Sequence, residues 1–157
     1  MKSVYRVLAY LVALEVIIQA AAIAFAMFGL VKWIDEGGVL DAAGIESGSV
    51  EFTGVLGFPI HAINGQLVIP LIALLLVISA FFAKVPGGVL WAGLVLLTVV
   101  VQVLLGIFAH GAPELGLLHG VVAIALFTFA VIAARRAEST LGGLERPTAE
   151  RGPAGVA

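Results

Sequence analysis

Four long apolar runs separated by short polar breaks dominate the chain. They cover about residues 5–31, 57–83, 88–109 and 115–136. Each reaches the roughly 20 residues an α-helix needs to cross a bilayer. The breaks carry turn-formers. Residues 32–56 are rich in Gly, Asp, Glu and Ser, Lys84-Val85-Pro86-Gly87-Gly88 reads as a tight turn, and His110-Gly111-Ala112-Pro113-Glu114 as another. The pattern predicts an all-α fold: a four-helix transmembrane bundle running up-down-up-down over residues 1–136. From Ala137 the chain turns polar and Gly/Pro-bearing, which predicts a disordered tail over 137–157. The run from Val7 to Val31 exceeds the apolar core of about 7–15 residues in a cleavable signal peptide. It also holds Glu15 and Gln19, so it reads as a retained first span.

Composition agrees. Of 157 residues, 62% are hydrophobic and 11% charged, more apolar surface than a soluble domain of this size hides. The bilayer is therefore the expected solvent. The absence of cysteine excludes disulfides, thiolate catalysis and iron–sulfur clusters. A net charge of −2 says little, because the charges sit in loops and ends, and no nucleic-acid partner is expected. Their distribution says more. Lys2, Arg6, Lys84, Arg135 and Arg136 flank one side of the spans, with Arg146 and Arg151 in the tail, and only Lys32 flanks the other. The positive-inside rule then puts both termini in the cytoplasm and the 32–56 loop outside, for a multi-pass membrane protein.

Helical spacing predicts the inward face of each span. Glu15, Gln19, Ala22 and Ala26 form one stripe, and His61, Gly65, Val68 and Ile72 a second, with Asn64 beside it. Gln102, Gly106 and Ala109 form a third. His119, Ala123, Leu126 and Ala130 form a fourth, flanked by Gly116 and Gly120. Polar groups in hydrocarbon cost several kcal/mol when unsatisfied, so these stripes should face the bundle interior. Pro70 predicts a kink in the second span.

His61 and His119 each lie about four residues, or ~6 Å, inside the outer start of their spans. One intramembrane histidine is commonly an interhelical hydrogen bonder. Two at matched depth, on the same side and beside small residues, point to axial ligation of one b-type haem. His61 and His119 would be the iron ligands. Gly65, Gly106 and Gly120 would make room for the macrocycle, and Gln102 would orient its edge or act as interhelical glue. His110, at the outer end of the third span, reads as interfacial. Glu15, near mid-membrane, is either a carboxyl hydrogen-bonded to Gln19 or a partner helix, or a proton-relay group. No metalloprotease, phosphate-loop or nucleophile motif is present.

The run Gln102-Val-Leu-Leu-Gly106 followed by Leu118-His119-Gly120, together with His61 at the outer start of the second span, resembles one half of heme A synthase. That family is built of two four-helix halves, each with two histidines on its second and fourth helices near the outer side. The likeness covers about 130 residues and implies a haem-binding four-helix unit. One feature departs from it. The family carries a glutamate about one turn before a ligand histidine, whereas Gly57-Phe58-Pro59-Ile60 precedes His61 and Gly116-Leu117-Leu118 precedes His119. The stretches HAINGQLVIPLIALL, FFAKVPGG and LLHGVVAIALF are more closely similar to a family of small bacterial four-span proteins of unknown function.

The expectation is a membrane protein holding haem b between His61 and His119, for electron transfer or haem handling. A quinone or an outer-side redox protein would be its partner. Two readings stand against it. One is a non-haem accessory subunit or small transporter component. The other is a haem-modifying enzyme related to heme A synthase, acting as a homo-oligomer that rebuilds an eight-helix whole.

Overall fold

The computed structural model describes residues 1–142. They form α1 (Lys2–Asp35), a short α2 (Ala42–Ser47), α3 (Gly57–Ile63), α4 (Ile69–Ala83), α5 (Gly88–Phe108) and α6 (Glu114–Gly142). A π-helical turn, Asn64–Val68, joins α3 to α4, so that Gly57–Ala83 is one continuous span. Four helices are thus long and apolar enough to cross a membrane, and the protein is an all-α, four-helix, multi-pass membrane bundle. Each long helix packs on two neighbours: α1 on α4 and α6, and α5 on α4 and α6. The α3–α4 span and α6 therefore stand on one diagonal. Phe25, Phe28, Phe81, Phe82, Leu117 and Ile124 project outward, as lipid-facing residues do.

Three boundaries differ from the hydropathy reading. α1 has 34 residues and is about 51 Å long at the α-helical rise, well beyond a ~30 Å hydrocarbon core. Its C-terminal end carries the Lys32–Glu36 ion pair, a polar feature that belongs in water. Glu114 lies not in a loop but in the first turn of α6, where a carboxylate suits the positive end of the helix dipole. Finally, α6 runs on to Gly142, past the expected tail boundary at 137. Ala137 is fully buried and Tyr10 donates a 3.0 Å hydrogen bond to Glu138, so tertiary contacts carry the helix beyond its apolar stretch. The remainder of the expected tail, 143–157, lies outside the described residues.

The 32–56 connection contains α2, whose start is capped by Asp41, its Oδ1 accepting from the Gly44 N–H at 2.7 Å. Its end is closed by Gly48 at φ 65°.

The packed core lies toward the end that holds the N-terminus and the Lys84 turn. Tyr5, Ala9 and Val12 meet Ala73, Leu76 and Ala80, Val95 and Val99, and Ala130, Ala133 and Ala134 there. Alanines at these crossings let the backbones approach, which drives association where lipid removes the hydrophobic term. Tyr5 Oη donates to the Gly88 carbonyl at 3.0 Å, tying the first helix to the start of α5. Ser79 and Thr98 satisfy their hydroxyls on Leu76 and Leu94 carbonyls of their own helices. Trp91 stacks edge-on against Phe129, and the Arg136 guanidinium lies 5.2 Å over its ring.

The π turn corrects one predicted face. An undistorted helix would carry the inward stripe from His61 and Gly65 to Val68 and Ile72. Val68 is 40% exposed instead, and Ile69, Ala73, Leu76 and Ala80 are buried. The turn takes up one extra residue, with the Ile69 N–H bonded five residues back to Asn64, and the buried stripe steps forward by one. Pro70 supplies the cause, since its ring crowds the preceding turn and lacks an N–H. The expected kink at Pro70 takes the form of a widened turn.

Candidate functional site

The other half of the bundle is packed differently. Around residues 15–35, 57–68 and 100–120 only Ala26 and Gly57 are buried, and polar groups face one another across the helices. The α1–α3 contact there is close because Gly57 has no side chain: a Cβ would stand 2.3 Å from the Ala22 carbonyl oxygen and 2.9 Å from the Ala26 Cβ.

His61 on α3 and His119 on α6 meet across the diagonal. Their ring centres are 6.1 Å apart and their planes inclined at 58°. Each ring is anchored on the preceding span. His61 Nδ1 is 3.2 Å from the Gln19 carbonyl oxygen of α1, and His119 Nδ1 is 3.1 Å from the Gln102 carbonyl oxygen of α5. A carbonyl oxygen only accepts, so in each neutral ring Nδ1 carries the proton and Nε2 keeps its lone pair. This tautomer is the one a metal-ligating imidazole adopts, with its other N–H on a backbone carbonyl.

The two glutamines share that role, but their side chains behave differently. Gln102 Nε2 donates to the His119 carbonyl at 2.9 Å, so Gln102 and His119 are doubly joined. The Gln19 amide, and Gln102 Oε1, are buried without a hydrogen-bond partner among the described residues. The two helix pairs are thus alike at the histidine–glutamine contact and unlike around it. Four residues before the glutamines stand Glu15 and Thr98, and three after the histidines stand Asn64 and Val122. In the first pair Asn64 Nδ2 donates to Glu15 Oε2 at 2.7 Å, whereas Thr98 turns back on its own helix.

The glycines singled out in the sequence divide. A Cβ on Gly106 would lie 3.3 Å from His119 Cε1, so Gly106 seats the imidazole. A Cβ on Gly65 would lie 3.2 Å from Gln19 Nε2, so Gly65 seats the amide. At Gly116 and Gly120 a Cβ would meet nothing within 4 Å, and both lie exposed on the surface of α6. Glu15 meets Asn64 and not Gln19. His110 stands apart at the end of α5, exposed, its Nδ1 3.2 Å from the Ile107 carbonyl oxygen. The pairing of Glu15 with Asn64 is the partner-helix form of the hydrogen bond expected for that carboxyl, with Asn64 standing beside the His61 stripe. The backbone anchoring of the imidazoles had no residue-type signal at all.

As a donor set, the site offers two imidazole Nε2 atoms. Among the described residues, no group of three or more His, Asp or Glu side chains converges, so a zinc site of three or four protein ligands has no counterpart here. Two axial imidazoles on one ion, with metal–nitrogen bonds of ~2.0 Å and each nitrogen ~1.1 Å from its ring centre, hold their ring centres about 6 Å apart. The ring centres here are 6.1 Å apart, a separation of that length. No protein-family model, curated protein or solved structure matches this chain.

Proposed function

We propose that the protein is a b-type haem-binding membrane protein with His61 and His119 as axial ligands. The observation that carries the reading is the facing pair of imidazoles 6.1 Å apart, each with Nδ1 on a backbone carbonyl and Nε2 left for a metal. A porphyrin supplies the four equatorial nitrogens that the chain lacks. Bound haem supplies one-electron chemistry at iron. The chain's residues hold the ligand rings: the Gln19 and Gln102 carbonyls fix their tautomers, and Gly106 gives His119 its seat. With His61 and His119 both holding the iron, bound haem would have no position open to oxygen, which favours electron transfer or haem handling over oxygen chemistry.

Charge supports an orientation with both termini in the cytoplasm. Lys2, Arg6, Lys84, Arg135 and Arg136 all belong to the end that holds the packed core, against Lys32 at the other. The ligands then lie in the outer half of a bacterial cytoplasmic membrane. The resemblance to one half of heme A synthase agrees with haem binding. Methyl hydroxylation is not part of the reading, because no acidic residue stands one turn before either histidine.

The test is haem extraction and mass analysis of detergent-purified protein. One non-covalent haem b per chain is expected. Protein purified from haem-replete cells with no porphyrin would return the histidines to interhelical hydrogen bonding.

A further inference from the structure

Away from the histidines, charged side chains gather at the other end of the bundle, where α1 begins and α6 ends. A groove of about 540 Å³ lies there, lined by Arg6, Val7, Tyr10, Leu11 and Leu14 of α1 and by Glu138 of α6. Its volume falls within the ~300–1,000 Å³ of small-molecule sites. Tyr10 donates a 3.0 Å hydrogen bond to Glu138 Oε1, which holds the carboxylate at the level of the phenol. Arg6 stands one helical turn nearer the chain start, and its charge and that of Arg135 reach the Tyr10 hydroxyl. Among the described residues, no ion pair joins Arg6 to Glu138, and Glu138 Oε2 has no partner. One end of the groove thus offers a cation and an anion that are separately available to a ligand.

The rest of the groove is apolar. Val7, Leu11 and Leu14, at i, i+4 and i+7, form one exposed strip of α1. From Arg6 to Leu14 the strip runs about 12 Å toward the middle of the span. The apolar run of α6 ends at Ala134, and Arg135 and Arg136 follow. Arg6, Tyr10 and Glu138 therefore lie where hydrocarbon gives way to headgroups, the level at which tyrosine and basic residues anchor a span. Charges at that level with a hydrocarbon strip beneath them match a phospholipid lying along α1. A headgroup that is only anionic satisfies Arg6 and is repelled by Glu138. A choline headgroup carries a cation with no N–H to donate. An ethanolamine headgroup carries both a phosphate for the guanidinium and an ammonium for the carboxylate. We propose that the groove binds phosphatidylethanolamine, with its phosphate on Arg6, its ammonium donating to Glu138 and an acyl chain on the Val7–Leu11–Leu14 strip. Tyr10 is a positioning residue that holds Glu138 toward the headgroup. The bound lipid ties the start of α1 to the end of α6, and its binding does not rest on the haem reading.

The test is native mass spectrometry of the full-length protein in detergent, titrated in turn with dioleoyl phosphatidylethanolamine, phosphatidylcholine and phosphatidylglycerol. Wild type is expected to bind one phosphatidylethanolamine roughly fivefold more tightly than either other lipid, the upper range for one exposed ion pair. Glu138→Gln is expected to lower the ethanolamine lipid to the level of the choline lipid and to leave the choline lipid as in wild type. Arg6→Gln is expected to weaken both by a similar factor, because both lose the phosphate contact. Leu11→Trp fills the apolar strip without altering a charge, and is expected to abolish binding of the ethanolamine lipid with helicity by circular dichroism unchanged. It keeps the test valid if a charge variant fails to fold. Equal binding of the ethanolamine and choline lipids by wild type overturns the assignment, as does selectivity retained in Glu138→Gln or binding unaltered by Leu11→Trp. Tighter binding of phosphatidylglycerol than of phosphatidylethanolamine also overturns it, and assigns the attraction to the basic residues of this end alone.

Discussion

His119 and Gln102 hold each other twice: the imidazole Nδ1 sits 3.1 Å from the Gln102 carbonyl oxygen, and the Gln102 amide donates 2.9 Å back to the His119 carbonyl. The two contacts lock α5 to α6 and set the tautomer and direction of the ring before any ligand arrives. Such preorganisation is what a site needs when the metal must be gripped by only two protein atoms. The His61–Gln19 contact repeats the first half of this device and lacks the second.

If that device positions an iron ligand, Gly106 is as sensitive as the ligand itself. Gly106→Leu drives a side chain into the His119 ring, whose Cε1 is already 3.3 Å from a Cβ at that site. The expected outcome is loss of the six-coordinate haem spectrum with the protein still extractable and helical by circular dichroism. Gly93→Leu, where a Cβ meets nothing within 4 Å, should leave the spectrum as in wild type.

The ligand assignment separates the three histidines. His61→Ala and His119→Ala are each expected to abolish the bis-histidine signature in electron paramagnetic resonance. His110→Ala is expected to keep it, since that ring is exposed and bonded only within its own helix end. A wild-type signal from either of the first two variants refutes that ligand.

Packing makes an independent prediction. Gly57→Leu places a side chain against the Ala22 carbonyl and the Ala26 methyl and is expected to cost about 1–3 kcal/mol. Tyr5→Phe removes a buried hydroxyl bonded to Gly88 and is expected to cost about 0.5–1.5 kcal/mol. Thermal unfolding in detergent reads both, and wild-type stability for Gly57→Leu contradicts the close α1–α3 crossing.

Topology is testable because the chain contains no cysteine. Ser47→Cys, in α2, is expected to react with a membrane-impermeant maleimide on intact cells, and Lys84→Cys only after lysis. The opposite pattern reverses the orientation.

The four spans were legible because bilayer thickness imposes a length and a composition that any reading frame of hydropathy detects. The facing of His61 and His119 was legible for a related reason: helical periodicity and matched depth leave few alternatives for two polar rings in lipid. Pro70 marked the right place for a distortion, yet residue type alone does not tell a kink from a π turn. The shift of the buried stripe from Val68 to Ile69 followed from that difference. The extension of α6 through Ala137 and Glu138 was hidden because it depends on partners in α1 more than a hundred residues away. The anchoring of both imidazoles on glutamine backbones was equally hidden, since a carbonyl is common to every residue.

The central claim is that two imidazoles close on one iron, and the oxidised-minus-reduced absorption spectrum of the detergent-purified protein tests it most directly. The account predicts a Soret band and the sharp visible bands of low-spin, six-coordinate haem b. A colourless protein, or bound haem with the broad bands of a five-coordinate iron, would contradict it.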